Sequence, residues 1–151
     1  MAAPNIVGIT TLVGVSTFVT LSTQSATSVV SNAAASGQAF KITSLIVANT
    51  ANSGTNYVHV GLNDKAAGGG NTRYIQKNVG IETGTSLVVI DRASGVYVTE
   101  DQSVVVQSPT AANVIDVVVS YESIEDWFIF NLDWYLKCQI KTTEDSTHKI
   151  D

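Results

Sequence analysis

The chain has 151 residues, of which 44% are hydrophobic and only 14% are charged. A chain of this length suits a single domain with a sizeable core, and its apolar content excludes a disordered, highly charged linker. The net charge is −5, and no stretch holds a cluster of Lys or Arg. We therefore expect no nucleic-acid partner, because nucleic-acid binders use clustered cations to displace phosphate counterions.

The N-terminal apolar stretch lacks the features of a targeting segment. No Lys or Arg precedes it, and glycine, serine and threonine interrupt it between residues 8 and 17. We expect neither a secretory signal nor a membrane span, and so a protein made in the cytoplasm without a membrane partner. The single cysteine, Cys138, has no partner for an intramolecular disulfide, and its place in an apolar register predicts a small buried side chain.

Residues 1–121 are rich in Val, Thr, Ser, Ala, Asn and Gly, which is typical of short strands joined by turns. The candidate strands, in chain order, are Asn5–Ile9, Val13–Leu21, Thr27–Ser31, Ala39–Asn49, Tyr57–Leu62, Arg73–Gln76, Ser86–Asp91, Val96–Thr99, Ser103–Gln107 and Val114–Tyr121. Two of them alternate, with Val15, Thr17, Val19 and Leu21 in one and Ile115, Val117, Val119 and Tyr121 in the other, so one face of each can meet a core.

No helical period separates these strands, which excludes a doubly wound nucleotide-binding fold. We predict an all-β chain whose residues 1–123 form an antiparallel β-sandwich, of jelly-roll or immunoglobulin-like type. Residues 124–151 are predicted to be a C-terminal extension, an extended strand or arm.

The composition of that extension differs from the rest of the chain. Both tryptophans lie in it, and seven acidic side chains against three lysines give residues 122–151 a charge of −4. Apolar residues occupy every second position from Phe128 to Ile140, which favours a strand over 127–141 more than an amphipathic helix beginning near Glu125. Such a strand could add to a neighbour's sheet or lie as a long edge strand on its own subunit, and residues 142–151 are predicted to fray.

The sequence offers little catalytic chemistry. His59 lies between two valines in a strand and is predicted to be a polar-face residue, while His148 lies in the frayed end. No spacing of His, Cys, Asp or Glu matches a dedicated metal site, although Glu100–Asp101 could share a cation between protomers. The Gly68–Gly70 run lacks a phosphate-binding pattern and predicts a flexible loop. We expect no enzyme activity, no metal and no cofactor.

Three stretches of the sequence resemble one known group of proteins. They are Met1–Val7, the run Val30–Ile42 continuing into Leu45–Asn49, and the close at Val114–Glu122. In combination they resemble small virion structural proteins of marine tailed phages, cyanophages especially, over about residues 1–123. The resemblance carries no catalytic motif and implies a structural role in the particle. Residues 124–151 depart from the pattern, which usually stops soon after the Ser-Tyr-Glu close.

The resemblance and the low-charge β composition together suggest a capsid decoration, or cement, protein. Its partners would be the major capsid protein or other virion proteins, and a homo-oligomer, with a trimer favoured, would staple neighbouring capsomers. The residues predicted to reach across to neighbours are Asn5, Ile6, Val7, Trp127, Phe128, Phe130, Leu132, Trp134 and Leu136.

Two alternatives stay open. The first is a neck, tail or baseplate component. The second is a receptor- or carbohydrate-binding module whose candidate contacts are Trp127, Trp134, Tyr57, Tyr74 and Tyr97.

Overall fold

The computed structural model describes residues 11–125, which form nine β-strands and no helix. The strands are β1 (Thr11–Thr20), β2 (Thr27–Asn32), β3 (Gln38–Asn49), β4 (Asn56–Asn63), β5 (Thr72–Ile81), β6 (Ser86–Ile90), β7 (Val96–Val98), β8 (Gln102–Gln107) and β9 (Ile115–Glu125). The all-β prediction is confirmed, and each observed strand matches a predicted one. The predicted strand Asn5–Ile9 and the arm 127–141 lie outside the described residues.

The strands form two antiparallel sheets that pack as a β-sandwich. Sheet I has the order β1-β9-β3-β6, with the short β7 also paired to β3, and sheet II has the order β2-β8-β4-β5. Four antiparallel pairs, β1/β9, β2/β8, β3/β6 and β4/β5, nest inside one another along the chain. This is the topology of one long hairpin wrapped into a sandwich, and it selects the jelly-roll alternative of the sequence prediction.

The core lies between the inner faces of the two sheets. Leu21, Ile42, Leu45, Val58 and Val104 are completely buried there. The two alternating strands place Val117 and Val119 in this core, and Val19 and Tyr121 pack against it, as their period-2 pattern predicts.

Strand β5 is longer than its predicted span, Arg73–Gln76. It continues to Ile81 because two register shifts between β4 and β5 absorb extra residues. Asn78 lies in one of these irregularities with φ of 56°, and its backbone N–H donates to His59 Nδ1 at 2.8 Å. A side-chain acceptor on the neighbouring strand thus supports a backbone conformation that would otherwise end the strand.

Strand β9 continues to Glu125, past the predicted domain end at residue 123. Ile124 is buried, so the last residues of β9 belong to the sheet. Thr11 of β1 is paired with Glu125 of β9. The chain segments before residue 11 and after residue 125 therefore attach side by side, at one end of sheet I.

Candidate interaction surfaces

The outer face of sheet I carries a row of apolar side chains that crosses the four main strands. Phe18 pairs with Val118, Val118 with Ile46, and Ile46 with Val88. Phe18 is 83% exposed, Val88 57% and Val118 45%, while Ile46 is half-buried. Since paired residues of an antiparallel sheet share a face, these four side chains form a continuous stripe, roughly 14 Å across at about 4.8 Å per strand. We call Phe18, Val118, Ile46 and Val88 the apolar row.

Small residues flank the apolar row on both sides. One neighbouring row holds Ser16, Ser120 and Ser44, with a 2.9 Å hydrogen bond between the first two hydroxyls. The other holds Thr20, Asp116, Ala48 and Ser86. Because the side chains of these two rows are short, the apolar row protrudes beyond them.

The charged groups on this face have partners within it. Asp116 accepts a hydrogen bond from the Thr20 hydroxyl at 2.6 Å. Glu122 lies 4.0 Å from the ammonium of Lys41, one row further along. Exposed apolar side chains arranged contiguously, with the nearby charges already engaged, are suited to burial against another protein surface.

One part of the outer face of sheet II, over β8 and β2, is covered by its own chain. The loop of residues 64–71, between β4 and β5, lies over β8 and β2. Val105 belongs to the outward register of β8 but is only 3% exposed, and a methyl group at Gly68 would lie 3.4 Å from its Cγ1. The Ser31 and Ser103 hydroxyls donate to the backbone oxygens of Ala66 and Lys65, each at 2.7 Å.

Asn63 holds this loop in place from the end of β4. Its amide nitrogen donates to the oxygens of Gly68, Gly70 and Thr72, and its amide oxygen accepts from the backbone N–H groups of Lys65 and Gly70. The residue is 2% exposed, so these five contacts, in which two N–H groups are shared among three oxygens, form in a site with little access to water. The glycine-rich run is a loop, as predicted, but these bonds give it a defined conformation in place of the expected flexibility.

A surface ion pair joins the first residues of the loop to the turn between β7 and β8. The Lys65 ammonium lies 2.7 Å from Asp101 Oδ2, and the backbone N–H of Ala66 donates to Asp101 Oδ1. The hydrogen bond from Lys65, followed by that from Ala66, lowers the pKa of Asp101, and the same contact with Asp101 raises the pKa of Lys65. The Asp101 carboxylate is thus engaged within its own subunit, which leaves the predicted shared-cation role without support.

The three candidate sugar-binding tyrosines of the described region fall on two different faces. Tyr57 and Tyr74 lie on the outer face of sheet II, beside His59, whose ring meets Tyr74 edge-on at 5.8 Å. The Lys77 ammonium lies 4.7 Å above the Tyr74 ring. Tyr97 pairs with Lys41 on the outer face of sheet I. Of the three tyrosines, Tyr57 and Tyr74 thus share one face, and Tyr97 lies apart from them on the other sheet.

The remaining predicted sites can be located only in part. His59 accepts a backbone hydrogen bond and so has a structural role, as expected for a polar-face residue. All nine predicted contact residues, Asn5, Ile6, Val7, Trp127, Phe128, Phe130, Leu132, Trp134 and Leu136, lie outside the described residues, as do Cys138 and His148. Residues 11–125 contain no group of three or more His, Cys, Asp or Glu that could hold a metal ion, and within them no helix is long and apolar enough to cross a membrane.

The apolar row and Asn63 were not identified by sequence reasoning. Phe18 did carry a signal, since it is an aromatic residue in the register opposite to the core residues Val19 and Leu21. The rest of the row depends on strand pairing between distant segments. Asn63 carried no signal, because an Asn at a strand end ordinarily indicates a solvent-facing turn.

Comparison with known proteins adds little beyond the fold. No protein-family model and no curated protein matches the chain. A chain from the disulfide-linked pili of Bacillus endospore appendages aligns over 77% of this chain and 90% of its own length, with 13% identity and a TM-score of 0.46. A chain of infectious bursal disease virus, Gt strain, aligns over 78% of this chain and 40% of its own length, with 14% identity and a TM-score of 0.26. Both TM-scores are below 0.5, so neither similarity indicates a function.

Proposed function

We propose that this chain is a structural protein of a phage virion, and specifically a decoration protein that binds the outside of the capsid. The observation that carries the proposal is the apolar row on the bare outer face of sheet I. Four aligned apolar side chains, flanked by Ser, Thr, Ala and the Thr20-bonded Asp116, offer a surface suited to packing against another protein. The resemblance of residues 1–123 to phage virion proteins supplies the kind of partner, which is the major capsid protein.

The attachment of the two terminal segments supports the same role. Residues 1–10 and 126–151 join the sandwich at adjacent positions, because Thr11 pairs with Glu125. Nine residues in these segments are the predicted contacts with neighbours, and the fold places both points of attachment at one end of sheet I. A decoration protein could therefore present both segments towards the same neighbouring subunit, and many copies on a lattice would bind with avidity.

Cryo-electron microscopy of the particle that contains this chain tests the proposal. We expect a copy number comparable to that of the major capsid protein, with the outer face of sheet I against the shell. A few copies confined to the neck, tail or baseplate would contradict the decoration role in favour of the first alternative. Absence from the particle would contradict the virion role.

Binding to particles that lack the protein gives a second test with a matched control. The double substitution Phe18→Ser and Val88→Ser removes the two most exposed members of the apolar row, and we expect it to reduce occupancy about tenfold or more. The control double substitution Tyr57→Ala and Tyr74→Ala changes exposed side chains of the opposite face and should leave occupancy unchanged. Equal losses in both variants would contradict the assignment of the capsid-facing surface.

One observation favours a second candidate function, carbohydrate binding. Tyr57, His59, Tyr74 and Lys77 form an exposed group on sheet II that combines aromatic faces with polar atoms. In a glycan-array measurement the full chain would then bind a defined sugar, and the Tyr57→Ala/Tyr74→Ala variant would lose that signal while Phe18→Ser/Val88→Ser kept it. An array without signal would contradict this candidate.

A further inference from the structure

Strand β1 is an unprotected edge of sheet I. Ten residues, Thr11–Thr20, pair with β9 in continuous register, without a bulge. None of the ten is charged and none is proline. On its other side β1 has no strand partner within residues 11–125. A long, regular, uncharged edge of this kind is a template for a further strand.

The other edges of the sandwich carry the usual protection against strand addition. Strand β5 holds Arg73 and Lys77 and two register shifts, and β2 has a register shift and the overlying loop 64–71. Strand β6 has five residues and a register shift against β3, and β7 has only three residues. Since charges, bulges and short length all disfavour pairing, the contrast singles out β1.

We infer that β1 pairs in antiparallel fashion with β1 of a second copy of this chain, about a two-fold axis at Val15. This pairing would join the two copies of sheet I into one continuous sheet. In this register Phe18 lies opposite Leu12 of the second copy, Ser16 opposite Gly14, and Val13 opposite Thr17. Each pair occurs twice, as the symmetry of an isologous interface requires.

The side chains of β1 select this register. Leu12 and Phe18 point to the outer face and are 56% and 83% exposed, so they are the two large apolar groups on that side of the strand. An axis at Val15 places Leu12 of each copy opposite Phe18 of the other copy. It also places the small residues Gly14 and Ser16 opposite one another, between the two Leu12–Phe18 pairs. A shift of the axis to Ser16 would set Phe18 against Gly14 and leave Leu12 against Thr20, with less apolar contact.

The same register extends the apolar row across both copies. The apolar row would continue from Phe18 to Leu12 of the second copy. It would then reach Ile124, which pairs with Leu12 in the sheet of that copy. β1 carries no charge, and the acidic groups on β9, Asp116, Glu122 and Glu125, already contact Thr20, Lys41 and Gln38, so we expect no repulsion between like charges. Uncharged, self-complementary strands are thus the part of this acidic chain where two copies can meet without repulsion.

Pairing of copies through β1 does not depend on the virion role, and the two can fail separately. About nine paired residues per copy are fewer than the 20–30 of a standard interface, so we expect association in the micromolar range. Sedimentation velocity of the full chain, from low to high micromolar concentration, should show a monomer converting to a dimer. A protein that stays monomeric throughout would overturn the inference.

A charge swap tests the register. Leu12→Lys and Phe18→Glu should each weaken the dimer about tenfold, since each substitution occurs twice in the interface. The double variant should recover much of the loss in a salt-sensitive way, because the new ammonium at position 12 then faces the new carboxylate at position 18 of the second copy. A double variant weaker than either single one would overturn the register.

Two controls separate edge pairing from other kinds of association. Val88→Lys places a charge at a similarly exposed residue of the same face but at the opposite edge, and it should leave the dimer intact. In a Cys138→Ser background, Val15→Cys should give a disulfide-linked dimer on mild oxidation, whereas Val88→Cys should not. Loss of the dimer in Val88→Lys would indicate that the copies stack face to face. A dimer that resists both Leu12→Lys and Phe18→Glu would indicate that the copies associate through segments outside residues 11–125. Either result overturns the inference.

Discussion

The two outer faces of this sandwich differ in how far the chain itself covers them. On sheet II the chain covers its own strands, because the loop 64–71 lies over Val105 and is fixed by Asn63 and by the Lys65–Asp101 pair. On sheet I the apolar row is exposed, and β1 beside it has no further strand partner within residues 11–125. The first face is therefore covered within one subunit over β2 and β8, although Tyr57 and Tyr74 stay exposed on β4 and β5. The second has the features of a face that is completed by another molecule.

This difference in coverage follows from the length and path of the connections between strands. The β4–β5 connection is long enough to fold back over sheet II, and its glycines let the backbone approach β8 closely. On sheet I, by contrast, the residues at the two ends of the apolar row, Phe18 and Val88, stay more than half exposed. We propose that stability and assembly therefore depend on different faces, and substitutions can test this separation.

The largest expected effect is on the covered face. Asn63→Ala removes five hydrogen bonds from a buried side chain and should lower the free energy of unfolding by about 3 kcal/mol. Denaturant unfolding measures the loss. The control, Asn71→Ala, removes a long side-chain contact of 3.4 Å at an exposed residue and should change stability little. Equal effects would mean that the loop does not depend on Asn63.

Adjacent residues of β9 separate the inner from the outer face of sheet I. Val117 is 1% exposed and Val118 is 45% exposed. Val117→Thr buries a hydroxyl in the core and should cost about 2 kcal/mol, whereas Val118→Thr should stay within about 0.5 kcal/mol. Thermal or chemical unfolding compares the two variants. A large loss for Val118→Thr would show that the apolar row serves the stability of the subunit itself.

Two neighbouring glycines test how closely the loop 64–71 is packed. A methyl group at Gly70 would overlap Asp64 Oδ1 and Lys65 Cγ, whereas one at Gly69 would meet nothing within 4 Å. Gly70→Ala should therefore cost about 1.5 kcal/mol through displacement of the Asp64 carboxylate from the Asn71 N–H. Gly69→Ala should be nearly neutral in the same unfolding measurement. Two neutral variants would mean that the loop yields easily.

The smallest effect concerns the ion pair at the end of that loop. Because its contact with Lys65 lowers the pKa of Asp101, the carboxylate stabilises the fold above its unfolded pKa and loses this contribution as the pH falls through its folded value. Asp101→Asn should therefore be slightly less stable than the wild type at neutral pH, and the difference should shrink as the pH falls below the ordinary aspartate pKa and vanish once the folded carboxyl is protonated. Asn tolerates the φ of 59° at this position, so backbone strain does not confuse the comparison. A difference that persists in acid would exclude the ion pair as its cause.

Much of the fold could be predicted from local pattern. The period-2 placement of Ile115, Val117 and Val119, and glycine-containing turns such as Gly84 and Gly95, indicate strands and their ends directly in the sequence. The continuation of β5 past Gln76 could not be predicted this way. It depends on His59, nineteen residues before Asn78, accepting the hydrogen bond that supports an irregular backbone.

The candidate surfaces were less accessible to sequence reasoning than the fold. Tyr57, Tyr74 and Tyr97 have similar exposure, and only the sheet to which each belongs shows that Tyr97 lies apart. The predicted contact residues in 1–10 and 126–151 remain predictions.

The sequence by itself determined the all-β class, the strand positions and the residues that face the core, because a period of two and the φ preferences of turn residues are local properties. Only the tertiary structure decided that Phe18, Val118, Ile46 and Val88 form one row, that Asn63 fixes a loop, and that β1 is the unprotected edge. These features depend on which distant strands pair and in which register, and register is a property of the whole sheet.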